Sequence, residues 1–247
     1  YITDAVLREL AAHPSPNLRP WRSVFEVELL LRVDRRREAR ALIEATWPSD
    51  SPAFTLFYRI SVLSELRDAY AALDLLSRYP GRLDGEASVT LRLDALAAGA
   101  MQRPLLQEVD RLLATPLTPV TLSVVKILCA HLIRYPDQTI FDRLVQKIAR
   151  EPIPLHTESA GIWFSLFCTA GAVGDRPRLH ELTAQLRQAS DQPFMALAAV
   201  EAFFRGETAE RQLTTFLPWL PLPLEVTYAL IERYLPISAG AIPEPRE

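Results

Sequence analysis

The sequence predicts an all-α protein, a right-handed α-solenoid of stacked antiparallel helix pairs. Three observations carry this expectation. Apolar residues recur at i, i+4 and i+7 ahead of a proline: Ala69, Leu73 and Leu76 before Pro80, Leu105, Val109 and Leu112 before Pro116, and Phe141, Val145 and Ile148 before Pro152. Such spacing lays each trio on one face of a 3.6-residue helix. Proline then ends the helix, because it lacks the amide hydrogen and disfavours helical geometry in the residue before it. The stop signals also recur at a near-even spacing, through Pro48, Pro80, Pro116 and Pro152. Finally, 8 glycines in 247 residues argue against strands and tight turns, while a hydrophobic content of 49% is ample for a continuous core.

The elements follow in order. Residues 1–20 hold an N-terminal helix, with Ile2, Val6 and Leu10 on one face, and a proline-rich break, HPSPNLRP. Residues 21–221 hold about six helix pairs at the expected period. The first joins 21–31 to 36–47 around VDRRRE. The second is SPAFTLFYRISVLSELRDAYAALDLLSRYP, residues 51–80, with its second helix over 69–79. The third spans 85–115 and turns at Met101-Gln102-Arg103. Pro104 falls in the first turn of the helix that follows, where its missing donor costs nothing. The fourth joins 118–133 to 138–150 around YPD, and the fifth joins 156–172 to 178–189, with Gly174 and Asp175 as C-cap and N-cap. The sixth joins 193–204 to 209–217. Residues 222–236 form a capping helix, expected over 223–235, covering the apolar face that a last repeat leaves exposed. Residues 237–247, the ISAGAIPEPRE tail, are expected to lack structure.

A repeat of helix, turn, helix and closing proline, with a period of about 34 residues, resembles the tetratricopeptide-repeat family in a degenerate form. Ala69, Leu73, Leu76 and Pro80 fall close to the family's small, bulky and proline positions in the second helix. The first helices depart from it, with Ala53, Leu56 and Phe57 where the family has an aromatic, a leucine and a small residue. The resemblance covers about residues 21–221 as an architecture. It implies a superhelix whose first helices line a concave, peptide-binding groove.

Composition limits the partners. A net charge of −3 and a pI near 5.9 give no basic footprint for nucleic acid. No 18-residue apolar run is free of charge, so no membrane span is expected. The chain opens Tyr1-Ile2-Thr3 without methionine, so an anchor, signal segment or further domain is expected to be able to precede it. The expected location is cytoplasmic, with tethering to an inner membrane through such a segment as the variant. Lys126 and Lys147 are the only lysines, an arginine bias typical of GC-rich bacterial genomes.

Little points to chemistry. His13, His131, His156 and His180 form no HExxH and no zinc-finger spacing with a cysteine, and are expected to be structural or surface residues. Cys129 and Cys168 lie in apolar runs of adjacent first helices and are expected to be buried free thiols. There is no GxSxG, P-loop or GxGxxG. Acidic pairs such as Asp34 with Glu38 sit at turns and helix starts, where carboxylates suit the helix dipole. The expectation is a non-catalytic chain with no metal and no cofactor.

One pattern points to binding. Arg59 in FTLFYRISVL, Arg92 in SVTLRLDAL and Lys126 in LSVVKILCAHL follow one another at one repeat each, and each is a lone cation near the centre of an apolar first helix. Equivalent positions of stacked repeats lie side by side. The resemblance implies that these three face the groove and clamp an acidic or C-terminal segment of a protein partner. Trp163, a further repeat along the chain, would add an apolar anchor. Solvation of an exposed helix face is the plainer account of one cation per helix. Most of the aromatics Phe54, Phe57, Tyr58, Trp163 and Phe167 are expected in the core rather than on a binding surface. The alternative function is a spacer or homodimerisation module, the soluble arm of a membrane-anchored bacterial envelope or polysaccharide-export assembly, which rests on fold analogy. Trp219, between prolines in LPWLPLPLE, is expected to seal the last helix, or to mark a docking patch if it is exposed.

Overall fold

The computed structural model describes residues 19–32, 35–46, 53–155, 159–189, 194–208 and 210–234. Among them every regular element is helical and no strand occurs. The helices are α1 (Arg19–Arg32), α2 (Arg36–Thr46), α3 (Ala53–Glu65), α4 (Ala69–Arg78), α5 (Gly85–Ala98), α6 (Gln102–Leu113), α7 (Ser123–Arg134), α8 (Gln138–Arg150), α9 (Ala160–Val173), α10 (Arg176–Ala189), α11 (Phe194–Phe204), α12 (Glu210–Phe216) and α13 (Leu224–Tyr234), with a 3-10 turn at Leu217–Trp219. The expected helix at 2–12 and the tail at 237–247 lie outside the described residues.

Most ends fall where the sequence places them. Two first helices start later than expected. Before α7, Thr118 and Thr121 bind each other's amides and the Thr121 hydroxyl donates to the Pro116 carbonyl, so 118–122 forms a turn. Before α9, the Ser159 hydroxyl donates to the Pro154 carbonyl, closing a loop after Pro152 and Pro154. Hydroxyl side chains that satisfy local backbone groups compete with helix in this way.

The chain divides into two compact units between Met101 and Gln102, inside the third helix pair. In the first unit α1 packs on α2, and α3 packs on α4 and α5. One apolar cluster joins Val27, Leu30, Ala39, Ile43 and Val62, and another is built on Ile60, Leu63, Leu76, Leu91 and Ala95. Asp68 caps α4 by accepting the Ala71 amide and also pairs with Arg40 of α2.

In the second unit the period returns as contacts. Gln102 donates to Asp137, Gln138 to Asp175, Arg143 to Asp110, Arg178 to Asp142, and the Leu117 amide to Glu151. These partners are 33 to 37 residues apart, one repeat in every case. The chain thus ties α6 to α8 and α8 to α10 through equivalent positions. The Arg178 guanidinium, then Gln138, holds the Asp142 carboxyl below the usual carboxylate range. The Leu117 amide, then Lys147, does the same for Glu151. These carboxylates therefore stabilise the fold above their unfolded pKa, and that contribution fades as pH falls through the depressed value.

Candidate functional site

Among the described residues of the second unit, α13 packs along much of α7. This helix was expected to cover the end of the last repeat. It lies along α7, whose own sequence ends about 90 residues before α13 begins, and its Tyr234 also reaches α11 of the last pair. Val226, Ala229 and Leu230, spaced i, i+3, i+4, are fully buried. At the far end Arg134 Nε donates to Glu232 Oε2 at 2.6 Å, and an Arg233 guanidinium N–H donates to the Ile133 carbonyl at 2.6 Å. That carbonyl belongs to the last turn of α7, where the helix supplies no amide and its dipole favours a cation. At the near end Pro221 and Pro223 cross the start of α9, where a Cβ on Gly161 would stand 2.8 Å from the Pro221 carbonyl oxygen. The contacts place the C-terminal end of α13 beside the C-terminal end of α7, so the two run parallel.

An aromatic cluster closes that end. Tyr234 packs edge-on to Phe203 and Phe204, and Phe204 packs edge-on to Phe167 of α9. Phe204 lies against Gly171, where a Cβ would overlap the ring. Burial pushes the Tyr234 phenol above its ordinary value. Beneath, α7 and α9 meet around Cys129 and Cys168, both free and wholly buried. Burial pushes the Cys129 thiol up to about 12, against a hydrogen bond with Thr169. Cys168 is raised further by burial and by its neighbour Cys129. Since the thiolate is the reactive form, neither cysteine should react with DTNB in the folded chain at pH 8, and both should titrate in denaturant. Rapid native release of the chromophore would contradict this packing.

The four residues singled out for binding fall in both units. Arg59 on α3 is half-buried and Arg92 on α5 is exposed. Their helices pack on each other, and each has a partner within the chain. Lys126 on α7 is half-buried. Trp163 faces the second helices: it lines a cleft of about 290 Å³ with Phe141, Val145 and Ile148 of α8 and Leu182 of α10, and the cleft's polar side chains include Arg178 and Glu181. The aromatics divide as well. Phe167 is fully buried, Phe57 and Tyr58 are partly buried against the two clusters of the first unit, and the side chain of Phe54 lies outside the described residues. His131 is buried and packs on Tyr135, His180 is exposed, and His13 and His156 lie outside the described residues.

Two features escaped the sequence. Glu201 on α11 is buried, with Arg187 at 3.4 Å, His180 at 3.7 Å and Arg205 at 3.9 Å. A buried carboxylate among bases ties α10 to α11, and a glutamate inside FMALAAVEAFF was the available signal. The second is the outer side of α13. Leu224 is 70%, Tyr228 58% and Ile231 39% exposed, and Trp219 in the preceding turn is 66% exposed. Trp219 thus does not seal the last helix. LEVTYALIERY is apolar on two sides, the pattern of a helix with two neighbours.

Compared with models of protein families, with curated proteins and with solved structures, the chain matches none. No helix among the described residues is long and apolar enough to cross a membrane.

Proposed function

We propose that this chain is a non-catalytic protein–protein interaction scaffold, a right-handed solenoid of paired helices that binds an acidic partner segment along its first helices. Arg59, Arg92 and Lys126 are its clamping cations, and Trp163 in its cleft is a separate apolar anchor. One observation carries the reading most: a first helix of this chain already holds an acidic helix. In cis, α7 takes the apolar side of α13 and pairs Arg134 with Glu232. An apolar helix face with a flanking ion pair is how grooves recognise amphipathic segments.

Affinity capture with mass spectrometry, comparing wild type with Arg59→Glu/Arg92→Glu/Lys126→Glu, tests it. Circular dichroism of the variant comes first. A partner captured by wild type and recovered pure should bind the folded variant about tenfold or more weakly, as reversal of clamping charges demands. Equal binding by both proteins sinks the proposal.

A further inference from the structure

We infer that the cleft beside Trp163 binds a small, neutral, mostly apolar molecule that carries a carbonyl group, of the class of ring ketones and esters. Phe141, Ile148, Ile153 and Leu166 line the cleft and are themselves buried, so its walls are apolar and fixed in place. At about 290 Å³ it lies at the lower end of the range for ligand pockets, roughly 300–1,000 Å³. That space is too small for a helix and suits a ring or two.

Trp163 dictates the carbonyl. Its indole Nε1 is buried and has no hydrogen-bond partner among the described residues. An indole N–H only donates, and a buried donor left unpaired is costly. An occupant that brings an oxygen acceptor removes that cost. A carbonyl does so without adding a donor of its own, whereas a hydroxyl or a primary amide brings a proton that apolar walls do not accept.

Charge of either sign is disfavoured. The Arg178 guanidinium is taken up by Asp142 at 2.5 Å and Asp175 at 2.9 Å, and it lies over the Phe141 ring. Little of it is left for an anion. Glu181 is exposed and accepts from Gln185 at 3.3 Å. Its carboxylate repels an anion and stands in water, so an ammonium among the apolar walls would be buried unpaired.

The site rests on the reading of Trp163 as an anchor in the scaffold, and it is independent of the cations on the first helices. Acetophenone and ethylbenzene share one frame and differ in the carbonyl. Each is titrated into the isotope-labelled full chain, followed by the indole N–H signals of its 4 tryptophans. Trp163→Phe identifies the signal of Trp163. Acetophenone should bind about 3- to 10-fold more tightly than ethylbenzene, the net worth of one buried hydrogen bond. It should also move the Trp163 signal to lower field, as a proton entering a hydrogen bond does, and ethylbenzene should not. Trp163→Phe keeps an apolar cleft and should lose the preference for the ketone. Val145→Phe, at a half-buried position lining the cleft, should fill it and block both compounds. Arg59→Glu/Arg92→Glu/Lys126→Glu should leave acetophenone binding unchanged, so this site and the clamping of an acidic segment fail separately.

No binding of acetophenone, equal binding of the two compounds, or a ketone preference that survives Trp163→Phe overturns the inference. So does an unmoved Trp163 signal at saturation, or undiminished binding by Val145→Phe, which would put the compounds elsewhere on the chain.

Discussion

Gly171→Ala is expected to destabilise the chain, and the same substitution is expected to stabilise it once Phe204 has been cut to alanine. Two effects compete at this position. Alanine in a helix interior is favoured over glycine by about 1 kcal/mol. Against that, a Cβ would meet the body of the Phe204 ring rather than the end of a flexible side chain. Overpacking of this kind costs about 1–3 kcal/mol, and Phe203, Phe167 and Tyr234 leave the ring little room to shift. The clash therefore wins in the wild-type background, by about 1 kcal/mol when the overpacking cost is taken at the middle of its range. In Phe204→Ala, itself costly by about 3–5 kcal/mol if the site cannot collapse, only the propensity gain remains. Urea midpoints of the four proteins in this cycle check the claim, and the informative quantity is the change of sign. A destabilising Gly171→Ala in both backgrounds would mean that the ring is not where α9 and α11 are drawn together.

Val226→Asp is expected to cost about 3–5 kcal/mol at pH 7, because it places an unpaired carboxylate in the seam between α13 and α7. The loss should depend on pH in a fixed direction. Burial favours the protonated acid and raises its folded pKa above the unfolded value of about 3.9. A group raised in the folded state binds its proton more tightly there. The deficit is therefore smallest below the unfolded pKa, grows as pH rises through the folded pKa and levels off above it. Val226→Asn has no charge to lose and should show a constant deficit over the same range. Chemical denaturation of both variants from pH 3 to pH 8, each referred to wild type, separates the two. Parallel curves would place Val226 in water.

Much of the helical layout is legible in the sequence because its signals are local. Proline ends a helix whatever surrounds it, and the trio before Pro116 is the buried side of α6, while in α4 and α8 the middle members Leu73 and Val145 are only partly buried and Ala72, Leu75, Ile140 and Leu144 turn inward instead. The period is legible for the same reason, and it returns in contacts such as Arg143 with Asp110. Asp175, read from the sequence as an N-cap, accepts the Arg178 amide, and the structure shows Asp68 and Asp137 doing the same for the first turns of α4 and α8.

What a helix meets is not local. The apolar side of α13 could be read from LEVTYALIERY, but periodicity says which side is apolar and not which neighbour covers it. The neighbour is α7, about 90 residues earlier in the chain. Trp219 shows the same limit, since its exposure follows from where Leu217 and Leu220 are buried on either side of it. The cations Arg59, Arg92 and Lys126 could be aligned by spacing alone. Spacing does not say what each finds, and Arg59 and Arg92 both have partners within the chain.

The seat of α13 on α7 is central, because it supplies both the cis example of helix recognition and the outward stripe. Amide hydrogen exchange on the wild-type chain tests it most directly. An 11-residue helix is marginal in water by itself, so α13 can be protected only if it is docked. The amides of α13 are expected to exchange as slowly as those of α7 and α9, opening with them as one cooperative unit. Exchange of α13 within seconds while α7 stays protected would contradict that seat.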